Sequence, residues 1–219
     1  MSDVKLHNKF ASIKAVGFDV DGTLYHSSEE LQSAVGMDII AEAARRLGKQ
    51  PDDIVEEYLA RREELRSNTM TLNSFGLPGE EIFQKIWDEI PIEKYVKRDA
   101  KLVTLMGGLR KQYRLFIISN GRGEQIERKF RHLGLRPAWF DPFISCYDHG
   151  WVKPEPAPFL AAIEALKLKP EEIVYVGDRT DVDVDAAKAV GMRTIFVGGE
   201  YAGADASCET VYDVGLMLE

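Results

Sequence analysis

The sequence predicts an α/β fold, a parallel sheet carrying an inserted helical segment, and three observations predict it. Short apolar runs alternate with amphipathic stretches. Each run closes on a glycine-marked or polar turn. Roughly 90 residues between the first and second runs show helical periodicity alone. Strands that alternate with helices assemble into a parallel sheet covered on both faces.

The first run is Ala15-Val16-Gly17-Phe18-Asp19-Val20, a strand that ends at Asp21-Gly22. The insertion follows, with Ile39, Ala43 and Leu47 at helical spacing before Gly48, then Ile54, Tyr58 and Leu65. The chain re-enters the sheet domain through Leu102, Leu105 and Leu109. Arg114-Leu115-Phe116-Ile117-Ile118 is the second strand and ends at Ser119-Asn120-Gly121. Ile126, Phe130 and Leu133 mark the helix after it, which Gly134 stops.

Pro142-Phe143-Ile144-Ser145 is a weaker third strand. Lys153-Pro154-Glu155-Pro156 then turns the chain into a helix with Phe159, Ile163 and Leu166 on one face. Glu172-Ile173-Val174-Tyr175-Val176 closes at Gly177-Asp178, and a helical stretch runs on to Val190-Gly191. Arg193-Thr194-Ile195-Phe196-Val197, ending at Gly198-Gly199, completes the series. The domains expected are a catalytic core of residues 1–24 with 100–219 and a helical cap of residues 25–99.

Composition narrows the function. The 219 residues include 28 Lys and Arg against 36 Asp and Glu, a net charge of −8, which disfavours nucleic acid as a partner. The two cysteines, Cys146 and Cys208, lie far apart with no CxxC or His cluster, so neither a disulfide framework nor a zinc site is supported. Met1 to Lys14 has no apolar core of signal-peptide length, and nowhere do 18 apolar residues run together. A cytoplasmic protein with no membrane partner, monomeric or homodimeric, is expected.

Ligands of open parallel sheets bind outside the carboxyl ends of the strands. The residues there are polar: Asp19 and Asp21 end the first run, Ser119 and Asn120 the second, Lys153 follows the third, and Asp178, Asp181 and Asp183 follow the fourth. Carboxylates converging at one edge repel each other unless a cation sits among them, and an all-oxygen donor set suits a hard ion such as Mg²⁺. Ser119, the N–H groups around Asn120 and Gly121, and Lys153 make a cradle for a dianionic group. An acidic metal end facing a cationic end describes phosphoryl transfer.

The order Asp19-Val20-Asp21-Gly22-Thr23-Leu24, Ser119-Asn120-Gly121, Lys153-Pro154-Glu155-Pro156 and Gly177-Asp178-Arg179-Thr180-Asp181-Val182-Asp183 closely resembles the four motifs of the haloacid dehalogenase superfamily, from about Lys14 to Gly199. The resemblance implies a Rossmann-like core. It also implies that Asp19 attacks phosphorus to form an aspartyl-phosphate while Asp21 acts as acid and then base. Mg²⁺ would be held by the Asp19 and Asp178 carboxylates and the Asp21 carbonyl, with Ser119 and Lys153 on the phosphoryl group. Asp183 would ligate the ion or act from its outer shell, the latter being preferred.

The resemblance departs from its usual pattern at Arg179 and Ala186, where family members often carry Ser and Gly. Asp21 matters more: haloacid dehalogenases usually lack an acid at that position, so its presence favours a phosphatase or phosphomutase. The resulting expectation is a Mg²⁺-dependent phosphatase acting on a small phosphate ester, similar to nucleotidases or phosphoglycolate phosphatases. The alternatives are a phosphomutase, a dehalogenase, or a silent binding module, which would be expected to have lost Asp19 or Asp21.

Other features read as structural. Asp181 to Asp185 superficially resembles a calcium loop, but Ala186 stands where glycine is needed and Met192 where glutamate is. Phe75, Phe83, Ile86, Trp87 and Ile90 are a core stripe of the insertion. Arg61, Arg62 and Arg66 alternate with Glu56, Glu57, Glu63 and Glu64 on a solvated helix face. His26, directly after the first motif, is a candidate substrate contact.

Overall fold

The computed structural model describes residues 9–65 and 67–218, so Arg66 lies outside the described residues. The chain divides into two compact units, Met1–His26 with Val96–Glu219, and Ser27–Tyr95. The junctions fall at 26/27 and 95/96, where the sequence places them at 24/25 and 99/100. Tyr25 and His26 therefore stay with the sheet.

In chain order the elements are β1 (Ala15–Phe18), α1 (Glu29–Leu47), α2 (Val55–Leu65), α3 (Asn68–Ser74), α4 (Gly79–Glu89), α5 (Ala100–Leu109), β2 (Arg114–Ser119), α6 (Gly123–Leu133), β3 (Phe140–Ser145), α7 (Ala157–Leu166), β4 (Ile173–Gly177), α8 (Ala186–Ala189), β5 (Arg193–Val197), β6 (Ala206–Cys208) and α9 (Val214–Leu218). Among the described residues the strands form one parallel sheet in the order β3-β2-β1-β4-β5-β6. β1 is central and wholly buried, paired through Val16 with Leu115 on one side and Val174 on the other. Its unbroken apolar run is what a strand covered on both faces requires.

One face of the sheet packs Phe116, Ile118 and Tyr175 against Phe159, Ala162 and Leu166 of α7. Elsewhere in the same unit, α6 sets Phe130 edge-on to Phe140 and Phe143, with centroids 5.2 and 5.6 Å apart. α6 stops at Gly134, whose φ of 85° is the left-handed cap glycine adopts at little cost.

Three elements differ from the sequence expectation, the first being β3, which starts at Phe140 and not at Pro142. β6 is only three residues long, too short to display a period of two. The stretch after Asp178 opens as a wide π-type turn, Thr180–Asp185, before the short α8. Such turns re-aim side chains and concentrate at functional sites.

The helical unit is held by its own caps and core. Ser28 Oγ accepts from the Leu31 N–H to start α1, Glu29 and Glu30 lie in its first turn, Arg45 and Arg46 in its last, and Gly48 ends it at φ 67°. Ile86 and Ile90 of the aromatic and apolar stripe are buried, Phe75 stacks on Tyr58 and Phe83 meets Trp87 edge-on. Arg61 pairs with Glu57 and covers the Phe75 ring, and Arg62 donates to Asn68. Among the described residues no helix is long and apolar enough to cross a membrane.

Candidate active site

The site is built where the parallel strands end. β1 hands the chain to Asp19, whose N–H still donates to the Val176 carbonyl at 2.9 Å, so the ladder itself aims this carboxylate. β4 ends at Gly177 and delivers Asp178 beside it. Gly177 has to be glycine because a Cβ there would fall 2.3 Å from Asp183 Cβ. Gly22, at φ 87°, passes so close to Asp178 that a Cβ would lie 2.1 Å from its Oδ2.

Asp19, Asp178 and Asp183 each bring a carboxylate oxygen within 4.8 Å of the others. Asp183 is fully buried and tied at both oxygens: Oδ1 accepts from Lys153 Nζ at 2.6 Å and Oδ2 from the Arg179 N–H at 3.1 Å. Asp178 Oδ1 accepts from Thr23 Oγ1 at 3.2 Å. Asp181, by contrast, is exposed.

Burial pushes the Asp19 carboxyl up to about 7, with Asp183 and Asp178 adding repulsion that Lys153 only partly offsets. Burial, and then Asp183, likewise raises Asp178 to about 6. Three oxygen donors this close, two of them held reluctantly as anions, have the chemistry of a divalent hard-cation site.

Lys153 is the positive centre. Its ammonium donates to Asp19 Oδ1 at 2.8 Å, to Asp183 Oδ1 at 2.6 Å and to the Tyr175 hydroxyl at 3.0 Å, and the Tyr175 hydroxyl in turn donates a hydrogen bond to the Ile118 carbonyl at 2.6 Å. Burial alone would favour neutral lysine, but Asp183 and Asp19 outweigh it and hold Lys153 well above its ordinary range.

Asn120 secures the loop that carries Lys153. Its Nδ2 donates to the Lys153 carbonyl at 3.1 Å and its Oδ1 accepts from the Lys153 N–H at 2.8 Å. This reciprocal pair joins the end of β2 to the loop after β3. Ser119 and Gly121 are buried on either side of Asn120, and Asp148 adds a second tie by accepting from the Gly123 N–H and Ser145 Oγ.

Asp21 stands apart from the metal-type cluster, with both oxygens 2.6 Å from Lys129 Nζ and one accepting from the Tyr25 hydroxyl. His26 is exposed. Sequence reasoning missed Lys129 and Tyr175. Lys129 had a signal: it shares the i, i+3, i+4 positions of α6 with Ile126, Phe130 and Leu133, an apolar face where lysine needs a partner. Tyr175 lies inside an apolar strand and carries no signal beyond its hydroxyl.

The chain is similar to known phosphatases in sequence and in fold. A phosphoglycolate phosphatase of Aquifex aeolicus is 27% identical over 186 residues, covering 83% of each chain. A glyceraldehyde 3-phosphate phosphatase of Methanocaldococcus jannaschii is 28% identical over 94% of this chain and 95% of its own. The crystal structure of a phosphatase of the haloacid dehalogenase type from Thermococcus onnurineus superposes with a TM-score of 0.70 at 28% identity, covering 94% of this chain and 98% of that one. The model of the haloacid dehalogenase-like hydrolases matches residues 13–191, a span that takes in β1 through the turn after β4 and with them every carboxylate of the cluster. The chain belongs to the haloacid dehalogenase-like hydrolases.

Proposed function

We propose that this hydrolase removes phosphate from a small organic phosphomonoester in two steps, with Asp19 as nucleophile. The observation that carries the reading is the pair of opposed charges at one sheet edge: three clustered carboxylates and, against them, a buried ammonium on Asp19. An Asp19 oxygen attacks phosphorus, the bond to the ester oxygen breaks, and Asp21 gives that oxygen its proton. Water then attacks the aspartyl-phosphate, the bond to Asp19 breaks, and Asp21 takes the water's proton back.

Lys153 neutralises charge shared between Asp19 and the transferring group, and Ser119 with the N–H groups of Asn120 and Gly121 would receive phosphoryl oxygens. Mg²⁺ fits the donor set; the Asp19 and Asp178 carboxylates and the Asp21 carbonyl would hold it, with Asp183 orienting them from behind. When bound it supplies positive charge that draws the ester phosphate toward Asp19. The helical unit, inserted in the chain just after the nucleophile loop, is assigned the part of a cap that excludes water during turnover.

The names of the similar proteins, phosphoglycolate phosphatase and glyceraldehyde 3-phosphate phosphatase, point to short phosphorylated acids and aldehydes as the substrate class. The test is phosphate release from a panel holding both compounds, nucleotides and sugar phosphates, with Mg²⁺ and with EDTA, for the wild type and Asp19→Asn. Metal-dependent release that falls at least about a thousandfold in the variant is expected. Release by Asp19→Asn at the wild-type rate overturns the mechanism.

A further inference from the structure

We propose that Lys129 is a positioning residue for proton delivery, holding the Asp21 carboxyl in the one orientation from which it serves the ester oxygen. This rests on the reading of Asp21 as the proton donor.

The ammonium of Lys129 lies 2.6 Å from both Asp21 oxygens, and the Tyr25 hydroxyl meets Oδ1 from a second direction. Donors on two sides stop the carboxyl group from rotating. The Lys129 side chain is 6% exposed and that of Asp21 31%, so the lysine is buried behind the carboxylate while the acid keeps access to solvent. A lysine on the apolar face of α6 sacrifices hydration, and the ion pair is what compensates it. Because α6 starts at Gly123, one intervening residue after Ser119-Asn120-Gly121, the segment proposed to receive phosphoryl oxygens leads straight into the helix that holds the Asp21 carboxyl.

The placement also suits the chemistry. As the proton leaves Asp21 for the ester oxygen, negative charge develops on oxygens that already face an ammonium, so no group has to move to stabilise it. Lys129 acts through Asp21 and not on the ester itself. Its contribution to kcat/KM, which ends with departure of the ester oxygen and precedes the attack of water, should therefore appear only where a proton must be delivered.

The experiment compares kcat/KM for the wild type, Lys129→Met, Lys129→Arg and Asp21→Asn on 2,4-dinitrophenyl phosphate, p-nitrophenyl phosphate and phosphoglycolate. Dinitrophenolate departs without a proton, whereas an alkoxide does not. Lys129→Met is expected to lose about 30- to 100-fold on phosphoglycolate and under about threefold on dinitrophenyl phosphate, with Lys129→Arg recovering most of the loss. Asp21→Asn should show the same gradation more steeply.

A loss in Lys129→Met that is equal for all esters, or no loss, beside a graded Asp21→Asn overturns the inference and leaves the acid assignment standing. An ungraded Asp21→Asn overturns the assignment and the inference with it. If thermal melting shows Lys129→Met unfolded, Lys129→Gln is read in its place against Lys129→Arg, with the same graded loss expected and an ungraded one overturning the inference.

Discussion

Lys153 shares one ammonium between Asp19, at 2.8 Å, and Asp183, at 2.6 Å, so the proposed nucleophile and the innermost carboxylate of the cluster are joined through a single buried cation. This explains how two acids can stand so close to each other in an apolar setting: the charge between them lowers the repulsion each feels.

Removing that ammonium should affect rate and stability together. Lys153→Met is expected to lower kcat by about 10²–10³-fold, because charge developing on the phosphoryl group loses its fixed counterion. It should also destabilise the core unit by about 3 kcal/mol, since Asp19 and Asp183 then face each other uncompensated. Lys153→Arg should restore little of the rate, because a planar fork cannot replace a point donor to three oxygens. Steady-state kinetics and thermal melts measure both effects.

Tyr175→Phe separates support from chemistry. The ring would keep its edge-on packing against Phe159, with centroids 5.2 Å apart, while Lys153 loses an acceptor and the Ile118 carbonyl a donor. A stability loss of about 1–3 kcal/mol is expected for the buried carbonyl left unpaired. The rate should fall only several-fold, since Asp19 and Asp183 still hold the ammonium. A thousandfold loss in kcat would show that the hydroxyl acts on the reaction directly.

These residues also mark what could be read in advance. Asp19, Ser119 and Asp178 were visible because each directly follows an apolar strand run, and the sheet edge is where ligands gather. The paired runs of β1, β2, β4 and β5 were visible for the same reason, being continuous enough to outweigh local ambiguity. Tyr175 was hidden because hydrophobic alternation cannot distinguish a phenol from a phenyl ring. The pairing of Asp21 with Lys129 joins positions 108 residues apart, and no local pattern encodes such a distance. β6 had too few residues to show a period, and β3 starts at Phe140, two residues before Pro142, because the proline disguises its first half.

The raised acids make a prediction about Mg²⁺ and pH. Asp19 at about 7 and Asp178 at about 6 both stand above their ordinary value of 3.8. A carboxyl group raised in the folded state binds protons more tightly there than in the unfolded chain. Its contribution is complete below about 4 and is lost as pH rises through 6 and 7, so metal-free protein should lose stability across that window. Mg²⁺ competes with these protons and restores what deprotonation removes. The rise in Tm on adding saturating Mg²⁺ is therefore expected to grow steadily from pH 5 to pH 8. An equal rise at both ends would mean that the ion binds away from Asp19 and Asp178.

The helical unit carries the opposite case in Glu42. Its carboxylate accepts from Arg45 at 2.8 and 2.7 Å and from Arg46 at 3.0 Å, with the Lys85 ammonium of α4 at 3.8 Å. The Arg45 bonds lead in holding Glu42 down to about 2, helped by Arg46 and Lys85 and opposed by burial. Because the folded value lies below the ordinary 4.5, the stabilisation is complete above about pH 5.5 and is lost as pH falls through 4 toward 2. Arg45 is 67% exposed, so solvent screens the pair and the contribution is at most about 1 kcal/mol, well below the value the full shift implies. Glu42→Gln should accordingly destabilise the protein by that amount at pH 7, with the gap to wild type narrowing steadily to pH 3. Denaturant unfolding of both proteins at four or five pH values measures it. A gap that stays constant would assign the effect of Glu42 to packing between α1 and α4 instead of to its charge.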